Sequence, residues 1–327
     1  MRGSLAAESV SGVAGGSGVR DLSDFTLSEW ARLLPVQHAF KQARNDYWQR
    51  AYDAIEAAHE REFLAACRPL TGRRIAVLIA FEQPLALQWL LSMAERNLVD
   101  CPVLVFDNSR RSEVRPEIEA VCRRFGAAYL GLPPNRTRHV NRSHGMAMNW
   151  VYRRIVCKLE PELFAFIDHD LLPVKCCDFA ERLGHQACFG LLNESAWGWS
   201  LWAGYGVFRY AGVRDLPMNF LYDFSRGLDT GGRNFRPFYS TVDRSGYRFA
   251  SNRHVNLVLP REKQSRVVQV VDDRWLHIES ISYNDNFAPK LRFFEELMRA
   301  LESGEPWEKI AQGSTIADPG IAHAGHG

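Results

Sequence analysis

The sequence predicts an α/β fold whose central sheet is mostly parallel and is flanked by helices. Three observations support this prediction. From Arg73 onward, apolar runs of strand length alternate with segments of helical periodicity. The strands are apolar on both faces, as expected when helices cover both sides of a sheet. Polar residues stand at the carboxyl ends of these strands, where open parallel sheets bind their ligands.

Composition narrows the possible classes of protein. The chain has 327 residues, enough for one large domain or two smaller ones, and its 40 basic and 38 acidic residues nearly cancel. This balance argues against a nucleic-acid partner. No apolar run reaches the roughly 18 residues of a membrane span. The seven cysteines form no CxxC pair, so we expect a reduced, cytoplasmic protein without a zinc motif.

Two terminal segments and an extension precede or follow the main domain. Residues 1–20 are rich in Gly and Ser and predict a disordered leader. Residues 21–72 carry apolar residues at helical spacing and predict an N-terminal helical extension. A flexible tail is expected at 304–327.

The main domain is predicted at residues 73–303, with a boundary between 174 and 175. Its first half, 73–174, alternates strands and helices. The predicted strands are RRIAVLIAF, CPVLVFDNS, AAYLGLP and LFAFIDHDLLPV. The predicted helices are PLALQWLLSMAERNL, EVRPEIEAVCRRFG and SHGMAMNWVYRRIVCKL. The second half, 175–303, is aromatic and Gly-rich and predicts short strands and loops, then a late strand at WLHIESISYNDNF and a C-terminal helix at PKLRFFEELMRALES.

Asp168 and Asp170 stand within a segment that otherwise predicts a buried strand. Two carboxylates cannot both remain ionised in a dry core without a counter-charge, because desolvation costs on the order of several kcal/mol per ion. A divalent cation is one such counter-charge, and oxygen ligands favour magnesium or manganese, which often bridge to substrate phosphates. In the alternative interpretation Asp168 caps the following turn and Asp170 faces solvent.

The order IAVLIAF, VLVFDNS, AYLGLP, SHGMAMNW and FAFIDHDLLP resembles the nucleotide-binding half of GT-A glycosyltransferases, particularly the family-2-like group. The resemblance spans roughly residues 73–280. It implies a Rossmann-like GT-A fold, with the nucleotide bound by the half at 73–174 and the acceptor site, followed by a C-terminal helix, in the half at 175–303. It also implies an enzyme of the hexosyltransferase type.

The resemblance implies roles for residues that match the family's motifs. In that family the second strand ends in an Asp or Asn near the base and ribose, and a Gly-x-x-x-Asn segment precedes the metal strand. Small residues after the metal strand, here Ala203-Gly204, would leave room for the donor sugar. The implied donor-binding residues are Glu82, Asp107, Asn108, Ser143, Gly145, Asn149 and Asp168.

Asp168 and Asp170 would then form the metal-binding DxD motif of the family, holding Mn²⁺ or Mg²⁺. A late histidine often supplies a third ligand, which His277 would match; the alternative is a packed or solvated histidine. An acid on a later Gly-flanked loop is the catalytic base in inverting members, and Asp229 in GLDTGG takes that place. The alternative for Asp229 is a carboxylate that stabilises a glycine turn.

We therefore expect a metal-dependent, inverting glycosyltransferase that uses a UDP- or GDP-linked sugar donor. The acceptor would be a sugar, a lipid-linked molecule or another small molecule, and the enzyme would be soluble or peripherally bound to a membrane. Two other functions remain open at this point. One is a phosphohydrolase of the haloacid-dehalogenase type, which also uses Asp-x-Asp after an apolar strand. The other is a non-catalytic protein that binds nucleotides or sugars.

Overall fold

The described part of the chain forms two sheets, a central one of six strands and a second one of five. The structure is a computed structural model. The residues that it describes are 22–259, 265–279, 281, 284–310 and 315–316. The predicted disordered leader therefore lies outside the described residues. Within them, no helix combines the length and the apolar character needed to cross a bilayer.

Three helices form the predicted N-terminal extension. They are α1 (Leu27–Ala31), α2 (Leu34–Asp53) and α3 (Glu60–Cys67). Thr26 caps α1 in a capping box with Glu29, in which each side chain bonds the backbone N–H of the other residue.

The first half of the main domain alternates strands and helices as predicted. Its elements are β1 (Arg74–Ala80), α4 (Pro84–Asn97), β2 (Val103–Asp107), α5 (Arg115–Arg124), β3 (Ala128–Gly131), α6 (Val140–Val151), α7 (Cys157–Leu159) and β4 (Leu163–Asp168). The helix expected to open at Ser143 begins earlier, because His139 Nδ1 accepts the backbone N–H of Arg142 and so caps α6. A π-helical turn at Tyr152–Val156 joins α6 to α7.

The second half adds short strands and the C-terminal helix. Its elements are β5 (Leu171–Pro173), α8 (Phe179–Leu183), β6 (Cys188–Ser195), β7 (Gly198–Arg209), β8 (Asn252–Val258), β9 (Ser265–Val271), β10 (Trp275–His277), α9 (Asn284–Glu302), α10 (Trp307–Ile310) and β11 (Thr315–Ile316). The last two elements fall in the segment expected to be a flexible tail. They are ordered because Trp307 and Ile310 are buried and β11 pairs with β8. The remainder of that tail, residues 311–314 and 317–327, lies outside the described part of the chain.

The central sheet has the order β3-β2-β1-β4-β7-β6, and β1 to β4 are parallel. Strand β7 runs antiparallel to both β4 and β6. The second sheet is antiparallel, in the order β11-β8-β9-β10-β5. The predicted mixed α/β fold, with a mostly parallel central sheet flanked by helices, is confirmed.

The central sheet separates two apolar cores. Alternate residues of a strand point to opposite faces of its sheet. Ala76, Leu78 and Ala80 of β1 accordingly pack on the side of α4, α5 and the second sheet. Ile75, Val77 and Ile79 pack on the side of α3 and α6. This two-sided burial explains why the strands of the first half are continuous apolar runs.

A buried carboxylate joins the two sheets. Asp272, which follows β9, is 2% exposed and pairs with Arg182 of α8. Its Oδ2 accepts hydrogen bonds from the hydroxyl of Tyr205 on β7 at 3.0 Å and from Arg182 Nε at 2.8 Å. Burial raises the pKa of Asp272, and the Arg182 guanidinium opposes that shift. The ion pair therefore stabilises the ionised Asp272 carboxylate inside the domain.

We expect Arg182→Met to lower the free energy of unfolding by about 3 kcal/mol, because removing one partner leaves the other buried charge uncompensated. The matched control is Arg123→Met. Arg123 pairs with Glu119 on the surface, its side chain is 75% exposed, and its loss should cost less than about 0.5 kcal/mol. Urea denaturation measures both values. Equal losses in the two variants would contradict this account of the junction.

Candidate active site

The chain leaves the central sheet and enters the second sheet at the Asp-His-Asp segment. Asp168 is the last residue of β4, where it lies beside Ile79 of β1. Only two residues, His169 and Asp170, separate it from β5. Two carboxylates one residue apart can reach the same side because the backbone turns between the two strands. The segment is therefore a junction and not the middle of one continuous strand.

The second sheet supplies the predicted third ligand. Strand β10 pairs antiparallel with β5, so that His277 lies opposite Leu171. Its Nε2 is 3.4 Å from Asp170 Oδ1. One ligand atom each from Asp168, Asp170 and His277 lies within 4.8 Å of the other two. The structure thus brings together all three residues predicted to hold a metal.

The orientation of the His277 ring is set by a neighbouring strand. His277 Nδ1 is 2.6 Å from Oε1 of Gln269 on β9, and Gln269 Nε2 donates to Asn252 Oδ1 on β8 at 2.9 Å. With the amide so oriented, Nδ1 donates its proton to Gln269 and Nε2 faces the carboxylates, where a bound cation would take the place of the Nε2 proton. A metal-binding histidine is commonly held in its tautomer by such a partner.

Because Gly204 of β7 has no side chain, the Asp168 carboxylate has room beside the backbone at this position. A Cβ at this position would lie 2.5 Å from Asp168 Oδ2 and would also overlap the Trp202 ring. Trp202 in turn packs on His277, with ring centroids 4.9 Å apart. Any larger residue at 204 would therefore displace a ligand carboxylate or the ring beside it.

The three side chains form a strongly coupled charged group. Burial raises the pKa of Asp168, and His144 opposes that shift. Burial also acts against ionisation of Asp170, yet the charge and hydrogen bond of His277 lower its pKa to about 2. Burial disfavours the charged form of His277, but Asp170 raises its pKa overall. A cation bound here would replace these protons, so its uptake would release them.

The residues fit a hard divalent cation. Two carboxylate oxygens and one imidazole nitrogen suit Mn²⁺ or Mg²⁺, which accept oxygen ligands and keep further positions for water or phosphate. His169, between the two acids, is 5% exposed, and its buried Nε2 has no hydrogen-bond partner among the described residues. The residue itself lies in the wall of the same cleft.

A cleft of about 300 Å³ opens beside the three ligands. Asn108, which follows β2, lines it and donates from Nδ2 to Ser143 Oγ at 3.0 Å. Asn108 is buried, and its Oδ1 has no partner in the described part of the chain. Buried polar atoms are normally hydrogen-bonded, so this oxygen marks a place for a ligand N–H or O–H group.

Two cleft residues were not assigned a role from the sequence. Arg110 follows Asn108, and its guanidinium donates to the Thr137 carbonyl at 2.6 Å and lies 5.7 Å from the Phe81 ring centroid. An arginine in this position suits phosphate oxygens. His144 Nε2 is 3.6 Å from Asp168 Oδ1. The signals were the Arg-Arg pair after DNS and the histidine next to Ser143.

Asp229, the predicted base, lines this cleft and is exposed. Its Oδ1 accepts hydrogen bonds from Asn141 Nδ2 at 2.8 Å and from the Thr230 backbone N–H at 2.7 Å. The carboxylate is therefore held by one oxygen, and the other makes no hydrogen bond among the described residues.

Two of the predicted donor-binding residues, Asp107 and Glu82, make hydrogen bonds within the protein and do not line the cleft. Asp107 is fully buried and accepts from the Ser109 backbone N–H at 2.8 Å and from Tyr129 Oη at 3.0 Å. The Glu82 carboxylate accepts the backbone N–H groups of Arg110 and Arg111, at 3.1 and 3.2 Å. Both acids shape the loop after β2, and neither lines the cleft. A direct contact of either with the donor is not supported.

Gly145 and Asn149 also do not line the cleft. They lie one helical turn apart on a face of α6 that packs on residues 219–221, away from the face of Ser143. A Cβ at Gly145 would lie 2.7 Å from the Phe220 carbonyl oxygen. Asn149 is fully buried; its Oδ1 accepts the Phe220 backbone N–H at 2.7 Å, and its Nδ2 donates to Gln49 and Asn219. Both residues position the segment that leads to Asp229.

No protein-family model and no curated protein matches the chain. Among solved structures, S. aureus TarS is similar at 14% identity with a TM-score of 0.32, over 45% of this chain and 30% of that one. The bifunctional glycosyltransferase WbbM, in its apo form, is similar at 12% identity with a TM-score of 0.28, over 42% of this chain and 32% of that one. The matched part is thus about a third of each of these chains.

We expect Gly204→Ala to abolish Mn²⁺ binding while the protein remains folded, because the added methyl group would displace the Asp168 carboxylate. Gly246→Ala is the matched control, since no atom lies within 4 Å of a Cβ built there. Isothermal titration with Mn²⁺ measures the affinity, and circular dichroism reports the fold. Mn²⁺ binding of wild-type strength in folded Gly204→Ala would rule out Asp168 as a ligand.

Proposed function

We propose that this protein is a metal-dependent glycosyltransferase of GT-A type that uses a nucleotide-sugar donor. The observation that carries the proposal is the convergence of Asp168, Asp170 and His277 within 4.8 Å beside one cleft. The same cleft is lined by Asn108, whose Oδ1 has no partner among the described residues, and by Asp229. These groups provide a metal site, a polar contact for a nucleoside and a candidate base around one space.

The donor is proposed to lie with its nucleoside beside Asn108 and Ser143 and its diphosphate beside Asp168. Arg110 stands in the cleft wall next to Asn108 and contributes positive charge for the phosphates. We propose a UDP- or GDP-linked sugar. When bound, Mn²⁺ or Mg²⁺ supplies the charge that stabilises the departing nucleoside diphosphate.

The transferred sugar is proposed to occupy the space next to Gly204. Trp202 and Ala203 line the cleft there, and the absence of a side chain at Gly204 keeps Asp168 in place. An indole face suits the C–H surface of a hexose ring. These features support the hexosyltransferase type.

Asp229 is proposed as the general base of an inverting transfer. Asn141 and the Thr230 N–H hold its Oδ1, which fixes the rotamer and leaves Oδ2 to take the proton of an acceptor hydroxyl. The deprotonated hydroxyl would attack the anomeric carbon from the side opposite the leaving diphosphate, with the two reactants held in line. The acceptor is proposed to be a sugar, a lipid-linked molecule or another small molecule.

A cytoplasmic location accompanies this proposal. All seven cysteines are free thiols in the structure. A reducing compartment would maintain them in that state.

Nucleotide binding should require the metal. We expect UDP or GDP to raise the melting temperature when Mn²⁺ is present and to have little effect without it, because a ligand stabilises only the state that binds it. A thermal-shift series with UDP, GDP, CDP and dTDP, each with and without Mn²⁺, identifies the nucleobase of the donor. Asp170→Asn should remove the shift. The lack of any metal-dependent shift with all four nucleotides would refute the proposed donor class.

We expect Asp229→Asn to reduce transfer by at least about 100-fold while the affinity for the nucleoside diphosphate stays near normal, because the base does not hold the donor. Asp215→Asn is the control, since Asp215 is an exposed acid with a side chain 84% accessible. Donor turnover and nucleotide titration are compared for the two variants. Undiminished turnover by Asp229→Asn would remove this residue from the mechanism, and an acyl-phosphate trapped on Asp168 would indicate a phosphohydrolase.

A further inference from the structure

Exposed apolar side chains are concentrated at the N-terminal extension. Of the twelve large exposed apolar residues in the described chain, nine lie between residues 22 and 55. We call five of them the N-terminal apolar face: Leu33, Val36, Phe40, Tyr47 and Trp48. They recur at a spacing that places them along one side of α2. Contiguous exposed apolar surface of this kind marks an interaction site more often than scattered residues do.

Helix α2 buries two amide side chains beside Tyr52 and exposes three other aromatic residues. Asn45 and Gln49 are 1% and 2% exposed, whereas Phe40 and Tyr47 are 68% and 67% exposed. Gln49 Oε1 accepts a hydrogen bond from Asn149 at 2.9 Å, which directs the polar side of the helix inward. The ordinary preference is thus reversed, and specific contacts hold the helix in this orientation.

A groove of about 610 Å³ continues the N-terminal apolar face. Trp48 and Ala51 of α2 and Ile55, which follows the helix, form one wall, and residues 134–138 form the opposite wall. Trp48 is 51% exposed and belongs to both surfaces. The apolar surface therefore extends from the helix to the loop that precedes α6.

This surface is bordered by positive charge. Arg136, Arg138 and Arg142 line the groove, and none has an acidic side chain within 4.0 Å among the residues that the structure describes. The acidic residues of α2 form ion pairs with other arginines: Asp46 pairs with Arg233, and Asp53 pairs with Arg153. An apolar face with unpaired arginines at its border is complementary to a partner that is apolar and negatively charged.

We infer that the N-terminal apolar face and its groove dock on the surface of an anionic lipid bilayer. Tryptophan, tyrosine and phenylalanine side chains suit the boundary between acyl chains and headgroups, and arginines suit anionic headgroups. A second copy of the chain fits less well, because a twofold interface would place the same arginines against one another. Residues 1–21 contain no aromatic residue and so offer little surface to cover the face.

Docking in this manner would bring the cleft towards the membrane. Residues 134–142 border both the groove and the cleft: Asn135 Nδ2 donates to the Ser143 carbonyl at 3.2 Å, and Asn141 lines the cleft and holds Asp229. An acceptor carried by the bilayer would then meet the cleft from the side of Asp229. The docking itself does not rest on the transferase chemistry.

The test is cosedimentation of the full chain with vesicles of phosphatidylcholine alone or mixed equally with phosphatidylglycerol. We expect binding to the mixed vesicles. The triple variant Val36→Ser, Phe40→Ser, Tyr47→Ser should bind them at least about tenfold more weakly, because it removes the inserted apolar surface. The matched control is Val99→Ser, Val258→Ser, Val267→Ser, three exposed valines elsewhere on the surface, which should bind as the wild type does.

A second pair of variants tests the charge. Arg136→Glu with Arg138→Glu should weaken binding to the mixed vesicles by about tenfold or more, since basic residues near an anionic surface strengthen binding to it. Arg123→Glu with Arg248→Glu, two exposed arginines outside the groove, is its control. Circular dichroism verifies that each variant is folded. Because these arginines lie in an exposed loop, this pair tests the proposal even where the triple variant does not fold.

Several outcomes would overturn the inference. One is a wild-type chain that binds neither vesicle, and another is equal binding by the variants and their controls. A third is sedimentation as a dimer that the triple variant dissociates, without vesicle binding, which would assign the face to self-association. Failure of nucleotide binding would leave the docking surface unaffected, so the two proposals are judged separately.

Discussion

The compensation of two neighbouring carboxylates, the buried Asp170 and the half-buried Asp168, is the constraint on which this site depends. Asp168 and Asp170 stand where the chain passes from the central sheet to the second sheet, close to an apolar core on each side. Charge at such a place must be balanced, because burial disfavours ionisation. His277 balances it in part and shifts the pKa of Asp170 downward. A divalent cation would complete the balance, and the geometry of both sheets converges on that requirement.

The second sheet acts as a support for the candidate metal site. Its strand β10 carries His277, β9 orients the imidazole through Gln269, and β8 orients Gln269 through Asn252. Strands β8 and β9 come from the part of the chain whose composition predicted short strands and loops, and β10 lies in the predicted late strand. Their function is to present one nitrogen atom to two carboxylates that belong to the other sheet. A ligand held by a chain of hydrogen bonds is more precisely placed than one on a mobile loop.

The N-terminal extension is connected to the candidate base. Asn149 of α6 bonds Gln49 of α2 on one side and the backbone of Phe220 on the other, and Arg233 pairs with Asp46 of α2. The segment between residues 220 and 233 carries Asp229. Helix α2 therefore stabilises the loop of the candidate base with its polar side and exposes its apolar side. The extension belongs to the site structurally, which its sequence alone did not indicate.

The sequence by itself determined the α/β class, the succession of the first four strands along the chain and the residues that carry charge at their ends. It did so because continuous apolar runs and helical periodicity follow directly from burial on both faces of a sheet. Tertiary structure alone decided which of those end residues share a cleft. Asp107 and Asn149 fit the expected motifs, yet both are saturated by internal hydrogen bonds, whereas Arg110 enters the cleft. Motif spacing specifies a residue's position along its element, but the direction of its side chain depends on partners distant in sequence, such as Tyr129 for Asp107 and Gln49 for Asn149.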